Sequence, residues 1–153
     1  MCNLTHDELL LLKNGILILS QSRAQTFDPR GYNLQCCHLL RIGDTDEHYI
    51  PLDYETAFTT TKKITFIDHN MSQEQSEEIL AFFKDVKNTL IIHCMMGSCR
   101  SAAIAAAYCS IKNKKDSHDL IWASEKYSPN AHLYATLVRN NHHTQPHPIQ
   151  QTY

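Results

Sequence analysis

The sequence predicts an α/β fold of three layers, a central and mostly parallel sheet of four to five strands flanked by helices. Two observations predict it. Short apolar runs alternate with segments of helical period, and three helical segments close the chain. The run Thr89-Leu90-Ile91-Ile92-His93 is also continuous and apolar, as in a central strand of a parallel sheet.

Taken in order, Thr5 to Lys13 is a short amphipathic opening with the character of a helical turn. Gly15 to Ser20 is an apolar run bounded by Gly and by Ser-Gln-Ser-Arg, which suits a buried strand. Phe27-Asp28-Pro29-Arg30-Gly31 is a turn cluster. Leu34 to Ile42 predicts a second strand, closed by Gly43-Asp44-Thr45-Asp46, and the polar stretch 44–62 reads as loop. Lys63 to Asp68 alternates and is β-branched, so a strand ending near Asp68 is expected. Ser72-Gln73-Glu74-Gln75 has the form of a capping box, and the apolar period at Ile79, Leu80, Phe82, Phe83 and Val86 makes the helix behind it. Asn88 breaks that period before the central strand. Ala102 to Ile111 is alanine-rich and apolar nearly all round, a buried helix. Asp116-Ser117 is expected to cap a helix to about Tyr127, and Pro129-Asn130 to open a last one to about Asn140. Residues 1–141 read as one domain and 142–153 as a polar, disordered tail whose histidines read as solvated in preference to weak metal ligands.

At 153 residues, with 42% hydrophobic and 20% charged residues, the chain has the composition of an ordinary globular domain. A formal net charge of -2 gives no global pull toward nucleic acid or an anionic membrane, so any basic site is local. No apolar run is long enough to span a bilayer, and the N-terminus lacks the basic start of a secretory signal. The six cysteines show no disulfide framework, and several fall in apolar stretches. A reducing, cytoplasmic setting is therefore expected. The Cys36-Cys37 doublet has no second Cys/His pair at ligand spacing, so it reads as core packing, and no metal site is expected.

The chemistry concentrates between His93 and Ser101. There a buried strand, a short loop and a buried helix follow one another, so backbone N–H groups converge at a helix N-terminus where the dipole favours an anion. Gly97 sits where a positive φ lets successive amides turn inward, with Met95, Met96, Ser98 and Cys99 supplying the rest of the phosphate cradle. Cys94 opens the loop, and that positive surrounding should lower its thiol pKa. Arg100, six positions on, offers a planar fork for two phosphate oxygens. Ser101 is placed to hydrogen-bond the sulfur and ease its departure. These parts suit attack on phosphorus through a phosphocysteine intermediate.

His93-Cys94-x-x-Gly97-x-x-Arg100-Ser101 resembles the H-C-x-x-G-x-x-R-S/T signature of the protein tyrosine and dual-specificity phosphatases, and more narrowly the short bacterial tyrosine-phosphatase-like proteins of that superfamily. The likeness spans roughly residues 15 to 140 and is specific only at the signature; low-molecular-weight tyrosine phosphatases carry their loop near the N-terminus and do not match. The resemblance implies a cysteine-phosphatase fold and cofactor- and metal-independent hydrolysis of phosphotyrosine, with phosphoserine or phosphothreonine as further substrates. The expected partner is a phosphorylated protein or peptide, with no nucleic-acid or membrane partner, and the chain is expected to be a monomer. The resemblance also implies an upstream general acid. Asp68 is the candidate, Asp53 the fallback and His69 the third choice. Asn130 matches the Pro-Asn that opens the last helix of dual-specificity relatives, first as a helix N-cap and second as a substrate- or water-positioning residue. His93 tunes the loop by hydrogen bonding. Two features depart from the family pattern. Met95 and Met96 give the loop an apolar rim, and Cys99 adds a thiol that ordinary packing explains better than a disulfide switch with Cys94. The alternatives are a phosphate-binding pseudophosphatase, a phosphatase of non-protein phosphate esters, or a sulfurtransferase or arsenate reductase.

Overall fold

In the computed structural model of the protein, residues 3–144 are described. Four strands, β1 (Ile16–Ser20), β2 (Cys37–Gly43), β3 (Thr60–Thr65) and β4 (Thr89–Cys94), form one sheet in the order β1-β4-β2-β3, with every neighbouring pair parallel. The helices are α1 (His6–Lys13), α2 (Gln21–Thr26), α3 (Gln73–Asp85), α4 (Arg100–Ile111), α5 (Lys115–Ala123) and α6 (Ala131–Thr144).

The continuous apolar strands still obey a period of two, because each face of the sheet has its own cover. Ile18, Leu40, Ile42, Leu90 and Ile92 pack into the larger core with Phe83, Ala105 and Leu137 from α3, α4 and α6. Leu17, Leu19, Leu39 and Ile91 pack into the smaller one with Leu12 of α1 and Ala24 of α2. Three layers result. Helix α4 touches α5, α6, β1 and β4, and its alanines let those neighbours approach closely; Ala102 to Ala107 are buried without a break.

The sheet's C-terminal edge gathers the loops after all four strands. This is where ligands sit in open parallel sheets. The turn after β2 is strapped down by Tyr49, whose hydroxyl donates to the Ile64 carbonyl at 2.9 Å and lies 3.0 Å from Thr65 Oγ1. A Cβ on Gly43 would come within 2.8 Å of the Tyr49 ring, so only glycine admits the strap.

Several boundaries differ from the sequence expectation. The expected strand at 34–42 begins only at Cys37, after Asn33 takes a left-handed φ of 57°. Strand β3 starts at Thr60, inside the expected loop, and stops at Thr65. On this edge strand only Ile64 is fully buried, so the apolar alternation that marks strands is absent from its first half. The rest of 44–62 is loop with two short 3₁₀ turns. Residues 6–13 and 21–26 are complete helices, capped by Thr5 and Ser20. Asp116-Ser117 does not cap α5: left-handed Asn113 (φ 59°) turns the chain into the helix earlier, so Lys114 takes the cap position without a side-chain hydrogen bond, Asp116 falls in the first turn, and the helix ends at Ala123. Helix α6 carries the chain through Thr144, three residues into the expected tail; the remainder of that tail lies outside the described residues.

Candidate active site

The loop between β4 and α4 is held from outside through its carbonyls. The Met95 carbonyl accepts from the Gln21 amide (3.3 Å), the Ser98 carbonyl from the Ser128 amide (2.8 Å) and the Cys99 carbonyl from the amides of Asn130 (3.2 Å) and Ala103 (3.0 Å). Gly97 has φ +72°, and a Cβ there would lie 2.5 Å from the Ser20 amide nitrogen and 2.6 Å from the Leu19 carbonyl carbon. The loop thus rests directly on the end of β1. Its Gly97 N–H donates to Cys94 Sγ at 3.3 Å, and Ser101 Oγ lies 3.1 Å from the same sulfur. Cys99 occupies the cap position of α4 without any side-chain hydrogen bond to the helix amides, so the first turn keeps donors for an anion.

Burial pushes the Cys94 thiol up. Hydrogen bonds from the Ser101 hydroxyl and amide and from the Gly97 amide, together with the Arg100 charge, outweigh it and bring the thiol below its ordinary value. Cys37 and Cys109, buried without such donors, are pushed up to about 12. The contrast separates the Cys94 thiol from the packing thiols.

Arg100 is anchored through Nη1 alone, which donates to the Phe66 carbonyl at 2.7 Å and pairs with Asp44 Oδ1 at 2.6 Å. Nε and Nη2 have no protein partner among the described residues, which leaves one edge of the fork for two oxygens of a bound phosphate. Sequence reading treated Asp44 only as a turn residue. Its position at the carboxyl end of a buried parallel strand was the signal that it belonged to the site.

His93 is fully buried, and its Nε2 accepts a 2.9 Å hydrogen bond from Arg41 Nε. Burial, followed by the Arg41 charge, drops the imidazole to about pKa 3, so it is neutral at physiological pH. Arg41 was missed as well, although a lone arginine inside Leu39-Leu40-Arg41-Ile42 was visible in the chain.

The remaining candidates separate. Asn130 caps α6, its Oδ1 accepting from the Leu133 amide at 3.1 Å, while its own amide braces the loop. Asp68 is exposed, in a left-handed conformation (φ 53°), two residues beyond the carbonyl that anchors Arg100. Neighbouring His69 stacks edge-on against His132 of α6, ring centroids 5.1 Å apart. Asp53 is exposed, and its amide is tied to the Gln25 carbonyl at the far end of α2. The structure does not bring Asp53 to the loop. Met96 is 76% exposed, and Met95 and Ile67 are also exposed, an apolar rim at the mouth. Cys94 and Cys99 are both free thiols.

No protein-family model matches the sequence, and no curated protein does. Solved structures do. The human tyrosine phosphatase-like serine/threonine/tyrosine-interacting protein superposes with a TM-score of 0.63 at 16% identity, over 86% of this chain and 93% of that one. Human DUSP28 gives 0.62 at 12% identity, over 85% and 95%. PTPMT1 in complex with PI(5)P gives 0.59 at 11% identity, over 86% and 93%. The chain therefore has the fold of the dual-specificity and tyrosine phosphatases. Its Cys94–Ser101 loop follows β4, the strand that lies between β1 and β2.

Proposed function

We propose that the protein is a cysteine-dependent phosphatase acting on phosphotyrosine in proteins or peptides. The observation that carries this reading is the Cys94 sulfur, held within hydrogen-bond reach of Gly97 N–H and Ser101 Oγ, at an uncapped helix N-terminus beside the free edge of Arg100. The Cys94 thiolate attacks phosphorus while the bond to the ester oxygen breaks, and Asp68 gives its proton to that oxygen. Water then attacks the phosphocysteine, with ionised Asp68 taking the proton, and the P–S bond electrons return to sulfur. Ser101 donates to the sulfur as it leaves. Arg100 and the loop amides hold the equatorial oxygens throughout. The exposed Met95, Met96 and Ile67 around the mouth favour an aryl ester over a small polar one.

Turnover of p-nitrophenyl phosphate by wild type, Cys94→Ser and Asp68→Asn across pH tests this. Loss in Cys94→Ser and a lost limb of the pH profile in Asp68→Asn are expected. Undiminished turnover in Cys94→Ser would refute the mechanism, and an unchanged profile in Asp68→Asn would remove Asp68 as the acid. A second reading, docking of a phosphorylated partner without turnover, draws on the absence, among the described residues, of any hydrogen bond that aims the Asp68 side chain at the loop. Phosphopeptide binding by a wild type with no turnover would favour it.

A further inference from the structure

Arg41 is a cation sealed inside the protein. It is 2% exposed, points from β2 to the same sheet face as His93, and stands opposite it in the parallel register. Its Nη2 donates to the Ile50 carbonyl at 2.6 Å, its guanidinium lies 5.3 Å from the centre of the Tyr49 ring, and its Nε donates to His93 Nε2. No carboxylate lies within ion-pair distance among the described residues; Glu55 acts on it only from farther off. Burying a guanidinium without a carboxylate is costly, and the fold offsets that cost only with a carbonyl, an aromatic face and an imidazole. An aliphatic residue would fill the same volume more cheaply, so packing does not account for the charge.

We propose that Arg41 is a positioning residue for the nucleophile: its clamped guanidinium locks His93, the residue before Cys94, as the neutral Nδ1–H tautomer. A neutral His93 adjoining Cys94 removes the imidazole as a competing base. Arg100 is the charge that acts directly on the Cys94 thiol, so Arg41 reaches it through His93, whose Nδ1 has no hydrogen-bond partner among the described residues. The groups facing Arg41 are His93 from β4, Tyr49 from the strap and Glu55 from the 3₁₀ turn. Those facing Cys94 are the Gly97 amide, Ser101 and Arg100. The proposal rests on reading Cys94 as the nucleophile.

The test follows the rate of Cys94 alkylation by iodoacetamide against pH, with the modified residue located by mass spectrometry, in the full chain as wild type, Arg41→Met and Arg41→Lys. Releasing His93 in Arg41→Met should shift the midpoint by about one pH unit. Arg41→Lys, which restores a cation without the Nε geometry, should fall between. In wild type, imidazole nitrogen NMR should report His93 as Nδ1–H and non-titrating from pH 5 to pH 9 (roughly two units to either side of neutrality). That measurement stands even where Arg41→Met does not fold. An unchanged midpoint in folded Arg41→Met, or a His93 that carries its proton on Nε2, would overturn the proposal. A wild type whose Cys94 ionises early but turns over no phosphate ester would instead defeat the phosphatase reading and leave this one standing.

Discussion

Glu8 offers the sharpest test of how the outer scaffold supports the loop. Its carboxylate is fully buried, yet it accepts hydrogen bonds from the Thr5 amide (2.8 Å), from Lys126 Nζ (2.7 Å) and from Arg23 of α2 on both oxygens. Burial alone pushes the group up. Arg23, then Lys126 and the Thr5 amide, outweigh it and bring the carboxyl from 4.5 down to about 2. A displacement of that size corresponds to roughly 3 kcal/mol, an upper bound because Arg23 and Lys126 are themselves partly exposed. The folded pKa lies below the unfolded one, so this contribution is fully present above about pH 4.5 and is lost as pH falls toward 2. Glu8→Gln keeps the shape and removes the charge. Urea unfolding at pH 7 should show it about 2 kcal/mol less stable than wild type, with the gap closing between pH 4.5 and pH 2. Lys126 precedes the segment 127–130 that braces the loop carbonyls, so the Cys94 alkylation midpoint should also rise in Glu8→Gln. A variant as stable as wild type at pH 7, or a stability gap that persists unchanged at pH 2, would refute the reasoning.

Other substitutions probe the loop itself. Gly97→Ala should lose about 2–4 kcal/mol by urea unfolding, since it strains a positive φ and drives a Cβ into the Leu19–Ser20 backbone; a loss under 1 kcal/mol would show that the loop can lift off β1. Asp44→Asn should raise KM for p-nitrophenyl phosphate roughly tenfold, with a smaller fall in kcat, because it frees Arg100 from one of its two anchors. Ser101→Ala removes a donor to sulfur and should both raise the Cys94 alkylation midpoint and slow dephosphorylation of the phosphocysteine, read as a larger pre-steady-state burst. Leu137→Ala, at a fully buried position of α6, should cost about 2–5 kcal/mol.

The sequence carried the interior well and the edges poorly. Strands buried on both faces, such as Thr89-Leu90-Ile91-Ile92, announce themselves by unbroken apolarity, and Ser72 with Gln75 marked the start of α3 to the residue. Edge strand β3 did not, because Thr60 to Lys63 face solvent or the strap and obey no apolar period. Within the site, the loop from Cys94 to Ser101 was legible since its chemistry lies in contiguous residues. Asp44 and Arg41 were not. Each acts across the sheet, on Arg100 fifty-six positions later and on His93 fifty-two positions later, and the local signals, a strand-end aspartate and an arginine in an apolar strand, do not say which distant residue each one meets.

The strand order β1-β4-β2-β3 also has a kinetic meaning. β1 and β2 are consecutive in the chain but never touch; β4 must insert between them, joining Ile16 to Leu90 across 74 positions. Such long loop closures come late and slowly in folding. The braces of the loop from the amides of Ser128 and Asn130 come from farther along the chain still. During synthesis the chain therefore emerges with Cys94 as an ordinary thiol, and the surroundings that lower it are complete only after almost all of the described chain has left the ribosome and the sheet has closed around β4.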